Sequence, residues 1–420
     1  MAPIYVGTTS CTFLDNDIGG HAVRNADTLN RKLAALADAS RFDLSCACGT
    51  RDNDDHRRRG PDGMWLYPVS LPSGGTSIML KTLLSNACVN DCRYCPFRAD
   101  RDTPRFTMSP EEIAAVFMDF ARRKQAMGLF LSSGVVRDPD HTMDRLNAVA
   151  RILRQKHAYR GFIHLKILAG ASDAAIEEAV SLAGAVSLNL EVPTRAAFEG
   201  LSSRKDYDRD IVRPIKLISR LTARGMPRSC VKQSTQFLVG ASTETDAEIV
   251  RATFGLYRRW GLHRAYFSAY QQGLGDPSLP GERAGAPSPG DLATREHRLY
   301  QVDWLLRKYG FTDDEIPFDE SGGLSLTIDP KELWAQRHPE FFPIDANRAS
   351  REELLRVPGL GPTTVARILE LRRGGGRLNS VDDIGKPGRR LAKAKDYLVF
   401  GWRPARHAGY LRDVPGREGP

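Results

Sequence analysis

The stretch SIMLKTLLSNACVNDCRYC, residues 77–95, joins an apolar, β-rich run to three closely spaced cysteines. Cys88, Cys92 and Cys95 fall within eight consecutive positions, and Tyr94 immediately precedes the last of them. A structural zinc site usually has four ligands, often in two separated pairs, and no fourth Cys or His lies at a natural distance here. Three thiolates can instead hold three irons of a [4Fe-4S] cube and leave the fourth iron open. The spacing therefore favours an iron–sulfur site.

Six apolar β-rich runs follow one another from residue 77 to about 310. They are SIMLKTLL (77–84), LFLSSGVV (129–136), GFIHLKILAG (161–170), AVSLNLEV (185–192), CVKQSTQFLV (230–239) and RAYFSAYQ (264–271). Amphipathic helical segments lie between the runs, and one of them begins with Ser109, Pro110 and Glu112, which predict a capping box. Six βα units in a row predict an α/β fold with a parallel sheet, either doubly wound or a full or partial barrel.

Composition and length limit the kind of protein. The chain has 420 residues, of which 41% are apolar and 26% charged, as in an ordinary globular protein. No apolar run approaches 18 residues and no basic-then-apolar leader is present, so a cytoplasmic protein without a membrane partner is expected. Seven cysteines make a secreted disulfide framework unfavourable. Cys11, Cys46 and Cys48 leave two interpretations open, an auxiliary cluster or ordinary reduced thiols.

The sequence predicts five segments. They are an N-terminal extension of mixed helix and loop (1–76), the βα series (77–310), a connector (311–342), a small helical domain (343–400) and a basic tail (401–420). Net charge is concentrated at the C-terminal end, because residues 343–420 hold 16 Lys and Arg against 9 Asp and Glu. Such an excess indicates an anionic partner or a solvated basic tail.

The pattern C-x-x-x-C-x-aromatic-C after the first strand of a βα series resembles the signature of the radical S-adenosylmethionine (SAM) superfamily. The resemblance implies a radical SAM partial (β/α)6 TIM barrel over 77–310 and a [4Fe-4S] cluster on Cys88, Cys92 and Cys95. It also implies that S-adenosyl-L-methionine chelates the open iron and is reductively cleaved. The resulting 5′-deoxyadenosyl radical would abstract a hydrogen atom from a substrate. The sequence does not name a catalytic residue.

The resemblance also assigns residues to cofactor binding. They are Tyr94, Ser132, Ser133, Gly134, Lys166, Asn189 and Glu191. Ser132 to Gly134 occupy the family's Gly-rich stretch, whose frequent terminal acid is replaced here by Val135. Period-two alternation along SLNLEV predicts that Ser187, Asn189 and Glu191 share one face of a strand, and His164 and Lys166 one face of another. Further candidates for substrate contact or hydrogen donation are Gln236, Ser268, Tyr270 and Cys230.

The C-terminal stretch SREELLRVPGLGPTTVARILELRR, residues 350–373, predicts two short helices joined by a glycine-rich turn. Ser350 and Glu353 form a capping box, and Pro362 suits the first position of the second helix. This pattern resembles the helix-hairpin-helix module, and a looser copy follows at 380–398. The module implies contact with the phosphate backbone of nucleic acid, independent of base sequence. The implied DNA-binding residues are Gly359, Gly361, Thr363, Arg367, Lys386, Arg389 and Arg390. The alternative is a helical hairpin used for packing.

Taken as a whole, the chain resembles a family described as DNA modification or repair radical SAM proteins, with a C-terminal helix-hairpin-helix. The resemblance implies DNA as partner, together with a uracil-DNA-glycosylase-like protein and a one-electron reductant such as flavodoxin or ferredoxin. Two alternatives stay open. One is a radical SAM enzyme that modifies RNA or a small metabolite. The other is a non-catalytic iron–sulfur adaptor that binds DNA and recruits a repair partner.

Overall fold

The computed structural model describes residues 21–40, 42, 58–59, 65–70, 76–385 and 388–401. The chain divides into two compact units. The first comprises Met1–Glu244 and Gly255–Glu296, and the second comprises Thr245–Phe254 and His297–Pro420. The domain boundaries predicted from the sequence stay a prediction. None of the described helices is long and apolar enough to span a membrane.

The first unit contains an eight-stranded sheet whose strands are arranged in chain order. The strands are β1 (Arg58–Arg59), β2 (Trp65–Ser70), β3 (Thr76–Leu83), β4 (Gly128–Ser132), β5 (Phe162–Lys166), β6 (Ala185–Ser187), β7 (Lys232–Val239) and β8 (Arg264–Ala269). Strands β3 to β8 are parallel, and they correspond to the six runs predicted from the sequence. Strands β1 and β2 pair antiparallel on the β3 side. The extension 1–76 was predicted to hold only helix and loop, so these two strands are an addition.

Helices connect the parallel strands, as expected for a partial barrel. The helices are α1 (His21–Ser40), α2 (Pro110–Arg122), α3 (Pro139–Arg151), α4 (Asp173–Leu182), α5 (Arg195–Glu199), α6 (Arg213–Leu221), α7 (Asp246–Trp260) and α8 (Pro289–Trp304). The capping box predicted for α2 is confirmed, with the Ser109 side chain accepting from Glu112 and Pro110 in first position. Alternate residues of β4 and β5, such as Leu131 and Ile163, are fully buried. Each such side chain contributes about 2 kcal/mol through burial.

The second unit contains a small helical core. Its elements include α9 (Pro330–Arg337), β9 (Ile344–Asp345), α10 (Arg351–Arg356), α11 (Pro362–Arg373), α12 (Arg389–Ala394) and β10 (Leu398–Val399). The two-residue strands β9 and β10 pair in parallel, a detail that an all-α prediction lacks. The predicted capping box of Ser350 with Glu353 is present at α10. Fully buried Leu354, Val365 and Ile368 hold α10 and α11 in one apolar core.

Candidate active site

The three cysteines lie in the loop that follows β3, at the carboxyl ends of the parallel strands. Cys92 is buried, and Cys88 and Cys95 are half-buried. Backbone N–H groups of Asn90 and Val135 donate to the Cys88 sulfur, each at 3.4 Å, and a third N–H donates to the Cys95 sulfur at 3.4 Å. Such donors stabilise negative charge on sulfur, which is what a thiolate ligand carries.

Asp91 fixes the cysteine loop to the segment after α5. Its carboxylate accepts from the Ser202 hydroxyl at 2.6 Å, and from the Ser203 hydroxyl and N–H at 2.5 and 2.9 Å. Burial raises the pKa of Asp91, but the hydrogen bonds from Ser202 and Ser203 outweigh burial and lower the pKa to about 2. The Arg93 N–H adds a bond to the Leu201 carbonyl at 2.8 Å. The loop that carries the thiols is therefore held by an ionised carboxylate.

Gly134 allows the loop after β4 to pass directly against the cysteine loop. Its N–H donates to the Ser85 carbonyl at 2.7 Å, and the Val89 N–H donates to the Val135 carbonyl at 2.8 Å. A Cβ atom at position 134 would lie 2.3 Å from the Ala87 carbonyl oxygen. Since no side chain fits at that distance, only glycine permits this approach.

One cavity brings the predicted residues together. It is lined by Cys88, Cys92 and Cys95 and by all seven residues assigned to cofactor binding, Tyr94, Ser132, Ser133, Gly134, Lys166, Asn189 and Glu191. Gln236, Ser268 and Tyr270 also line it. His164 has a different place, because its Nε2 lies 2.9 Å from the Ser187 hydroxyl. Cys230 is exposed in the turn before β7.

Strand β6 is shorter than the sequence predicted. It ends at Ser187, so regular alternation does not continue to Asn189 and Glu191. Instead the backbone turns, and Glu191 adopts a φ of +66°, a conformation that favours glycine. Strain of this kind costs roughly 1–3 kcal/mol and is concentrated at functional sites. Asn189 and Glu191 reach the cavity through this turn and not through the predicted strand geometry.

Glu191 and the aromatic residue of the cysteine motif form a hydrogen-bonded pair. The Tyr94 hydroxyl donates to Oε1 of Glu191 at 2.7 Å. Burial and the nearby Glu191 carboxylate raise the pKa of Tyr94 well above its usual value, so the hydroxyl keeps its proton. This bond explains why an aromatic residue with a hydroxyl precedes Cys95.

Sequence analysis missed Lys205, which lies beside these groups and lines the cavity. Burial alone lowers the pKa of Lys205, but the Cys92 sulfur, to which its ammonium donates, and Glu191 raise it above the usual value. The residue lies in an irregular loop between α5 and α6, where no periodic pattern marks it. Only the folded arrangement reveals the contact.

Sequence analysis also missed the order in the loop after β8. The Tyr270 hydroxyl donates to Glu282, which in turn accepts from the N–H groups of Gly273 at 2.9 Å and Gly275 at 3.0 Å. Burial and the Glu282 carboxylate raise the pKa of Tyr270. Arg98 of the cysteine loop donates to the Leu274 carbonyl at 3.1 Å, and Leu274 lines the cavity. The loop thus closes one side of the cavity.

The residues present fit a cluster and a small zwitterionic ligand. Among the described residues, no three His, Cys, Asp or Glu side chains converge to hold a single metal ion, so the thiols do not form a mononuclear zinc site. The cavity next to them offers ammonium groups from Lys166 and Lys205, the Glu191 carboxylate and neutral polar groups. Cys11, Cys46 and Cys48 lie outside the described residues, so the auxiliary cluster stays a prediction.

The hairpin of the second unit presents the start of α11. Gly359 has a φ of +85°, and Gly361 is the N-cap residue that precedes Pro362. Thr363 and Arg367 are exposed, and Arg367 Nη1 donates to the Ile384 carbonyl at 3.3 Å. The second copy has a capping box at Ser380 and continues into α12. Lys386 and the side chains of Arg389 and Arg390 lie outside the described residues.

Comparisons with known proteins agree with this arrangement. Residues 82–253 match the model of the radical SAM superfamily, and residues 341–389 match a helix-hairpin-helix motif. No curated protein matches the chain.

Solved structures that resemble the chain include three at low identity. The [FeFe]-hydrogenase maturase HydG from Carboxydothermus hydrogenoformans is 16% identical, with a TM-score of 0.41, and the match covers 54% of this chain and 51% of that one. A second HydG structure is 15% identical (TM-score 0.42; 54% and 49% covered), and methylornithine synthase (PylB) is 14% identical (TM-score 0.42; 67% and 68% covered). The chain thus spans about half the length of the two maturases.

The parallel sheet, the cysteine loop at its carboxyl edge and the two family matches lead to one assignment. This chain contains a domain of the radical SAM superfamily, whose members bind a [4Fe-4S] cluster and S-adenosyl-L-methionine, and a C-terminal helix-hairpin-helix motif.

Proposed function

We propose that this chain is a radical SAM enzyme that acts on DNA, in repair or in modification of a base. The observation that carries the proposal is the shared cavity. Three thiols and seven residues selected from the sequence line it together, at the edge of the sheet where parallel α/β folds bind ligands. A nucleic-acid-binding motif on the same chain supplies the substrate class.

Each group in the cavity has a role in this proposal. Cys88, Cys92 and Cys95 hold the cluster. When bound, the cluster and S-adenosyl-L-methionine supply a 5′-deoxyadenosyl radical that abstracts a hydrogen atom. The turn at Ser132–Gly134 binds the methionyl amino group, while Glu191 and Asn189 bind the ribose and the amino acid end, and Lys166 neutralises a carboxylate or phosphate. The loop over the cavity excludes water from the reactive species.

The hairpins bring DNA to the enzyme. The first N–H groups of α11 have no partner within the helix, and they point at a ligand beyond its N-terminus. The glycines of the turn let a phosphate approach the backbone closely. Contacts of this kind are independent of sequence, so the base or lesion is selected at the radical site. A glycosylase-like partner, a one-electron reductant and a cytoplasmic location belong to the same proposal.

The radical activity is tested by anaerobic reconstitution with iron, sulfide, S-adenosyl-L-methionine and dithionite. We expect 5′-deoxyadenosine to form, faster with duplex DNA carrying mixed lesions than without, and new nucleosides to appear by mass spectrometry. Cys92→Ala should abolish the cleavage. A protein with a full cluster that forms no 5′-deoxyadenosine would instead be the iron–sulfur adaptor.

The nucleic-acid activity is tested with matched glycine variants. Gly359 and Gly375 both have positive φ angles, +85° and +79°, so valine strains the backbone at either position. We expect Gly359→Val to weaken binding to a fluorescent DNA duplex at least tenfold and Gly375→Val to leave it unchanged. Uncoupled cleavage should survive in both. Equal loss in both variants would remove the hairpin from the proposal, and preference for RNA at equal salt would support the RNA alternative.

A further inference from the structure

A buried lysine lies beneath the hairpin turn of the second unit. Lys331 is the second residue of α9, and only 6% of it is exposed. Its ammonium donates to the Leu360 carbonyl at 2.7 Å, and it lies 4.6 Å from the centroid of the Tyr309 ring. Leu360 is the residue directly before the N-cap Gly361 of α11. A charged group thus touches the turn from the inside.

This lysine is costly for the fold. An ammonium in a dry site loses its hydration, and an apolar side chain of similar volume would fill the space at lower cost. Burial lowers the pKa of Lys331 to about 7, the nearby Asp329 carboxylate raises it, and the Arg356 guanidinium lowers it further. The Tyr309 ring face and the Leu360 carbonyl complete its surroundings. A lysine kept under these conditions has a role that methionine would not fill.

The peptide group that Lys331 touches is the one that opens the proposed phosphate site. The Leu360 carbonyl and the Gly361 N–H belong to the same planar trans peptide, so they point in opposite directions. A cation on the carbonyl fixes the plane of that peptide and polarises it, which makes the N–H on the far side a stronger donor. The positive charge also adds to the potential at the N-terminus of α11.

We propose that Lys331 is a positioning residue for nucleic-acid binding, an internal cation that holds the hairpin turn and strengthens its N–H groups for a backbone phosphate. The inference rests on the proposed function, since it needs DNA to bind at the hairpin. It adds a residue from the predicted connector to a site otherwise built from the hairpin itself.

Binding of a phosphate should then draw a proton onto Lys331. A bound anion favours the charged ammonium and raises its pKa, so affinity falls as the pH rises. If the phosphate raises a pKa of about 7 by one unit, the affinity for DNA falls roughly sevenfold between about pH 6 and about pH 8.5. DNA phosphates do not titrate in that range, so the protein supplies the change.

The experiment measures the dissociation constant of a fluorescent duplex by anisotropy at these two pH values, at constant ionic strength. Four proteins are compared: wild type, Lys331→Met, Lys331→Arg and Lys308→Met. We expect Lys331→Met to bind roughly tenfold more weakly at about pH 6 and to show no pH dependence from this site. Lys331→Arg keeps its charge throughout, so it should bind well at both pH values. Lys308 is exposed, and Lys308→Met controls for loss of one charge while keeping the wild-type pH profile.

The outcomes separate the two proposals. A wild-type protein that does not bind DNA refutes the proposed function, whatever Lys331 does. Tight wild-type binding with an identical pH profile in Lys331→Met overturns the role of Lys331 alone, and assigns the profile to other groups such as His297 or His338. Circular dichroism at both pH values confirms that each variant is folded. If Lys331→Met fails to fold, a pH-dependent affinity in Lys331→Arg equal to that of wild type refutes the inference.

Discussion

Replacing Gly134 with alanine tests the contact that places the cysteine loop. The added Cβ would lie 2.3 Å from the Ala87 carbonyl oxygen and 3.1 Å from the Cys88 Cβ. Both are backbone or near-backbone atoms, so the two loops must move apart by roughly 1 Å, and overpacking of this kind costs about 1–3 kcal/mol. The movement also stretches the bonds from Gly134 N–H to Ser85 and from Val89 N–H to Val135, worth about 1 kcal/mol each. We expect a total loss of about 2–4 kcal/mol.

The matched control is Gly255→Ala in α7, where nothing lies within 4 Å of the new methyl group. Alanine is better than glycine in a helix by about 1 kcal/mol, so this variant should be slightly more stable. Stability is measured from the urea midpoint of the iron-free protein, and cluster assembly from iron and sulfide per chain after anaerobic reconstitution. Gly134→Ala should lower both values and Gly255→Ala neither. A Gly134→Ala protein with a normal midpoint and a full cluster would refute the proposed contact between the loops.

Three further predictions concern single side chains. Tyr94→Phe removes the hydroxyl that donates to Glu191 at 2.7 Å and should lower the free energy of unfolding by about 1.5–3 kcal/mol, seen as a lower urea midpoint. Folding lowers the pKa of Lys331 to about 7, so the unfolded chain binds more protons between pH 7 and 10.5. Stability should therefore rise with pH in that window, and Lys331→Met should be more stable by a few kcal/mol at about pH 7 and lack the rise. Arg356→Lys gives up the stack on Phe311, 3.8 Å from its ring centroid, and should cost about 1 kcal/mol in thermal unfolding.

Each of these predictions has an outcome that would contradict it. A Tyr94→Phe protein with an unchanged midpoint would mean that water replaces the hydroxyl. A wild-type stability that is flat from about pH 7 to about pH 10 would mean that Lys331 is not desolvated. An Arg356→Lys protein with wild-type thermal stability would mean that charge alone, through the ion pair with Glu315, accounts for the contribution of Arg356.

The barrel was predictable because its signals are local. Six apolar runs, capping residues such as Ser109, and the spacing of Cys88, Cys92 and Cys95 all lie within short windows of sequence. The geometry around Glu191 was not predictable, because its turn depends on pairing with β7 and not on alternation within its own strand. Lys205 and Lys331 escaped notice for a related reason. Each is one polar residue among many, and only long-range contacts distinguish it.

The polar reading of the cavity succeeded for a physical reason as well. Polar side chains at the ends of parallel strands are tolerated where they line a ligand site, so their residue types carry information even when the strand geometry is wrong. His164 shows the limit of this argument. It lies at a polar strand position as predicted, yet it hydrogen-bonds to Ser187, which satisfies it within the protein.

The left-handed backbone at Glu191 has a consequence for engineering. Glycine would occupy that position without strain, and its loss of side-chain contacts would pass unnoticed in a heat-challenge screen. A directed-evolution campaign rewarding only thermal tolerance would therefore drift toward glycine there, leaving a hardier protein whose cavity lacks its carboxylate. Libraries built from this scaffold should hold position 191 constant.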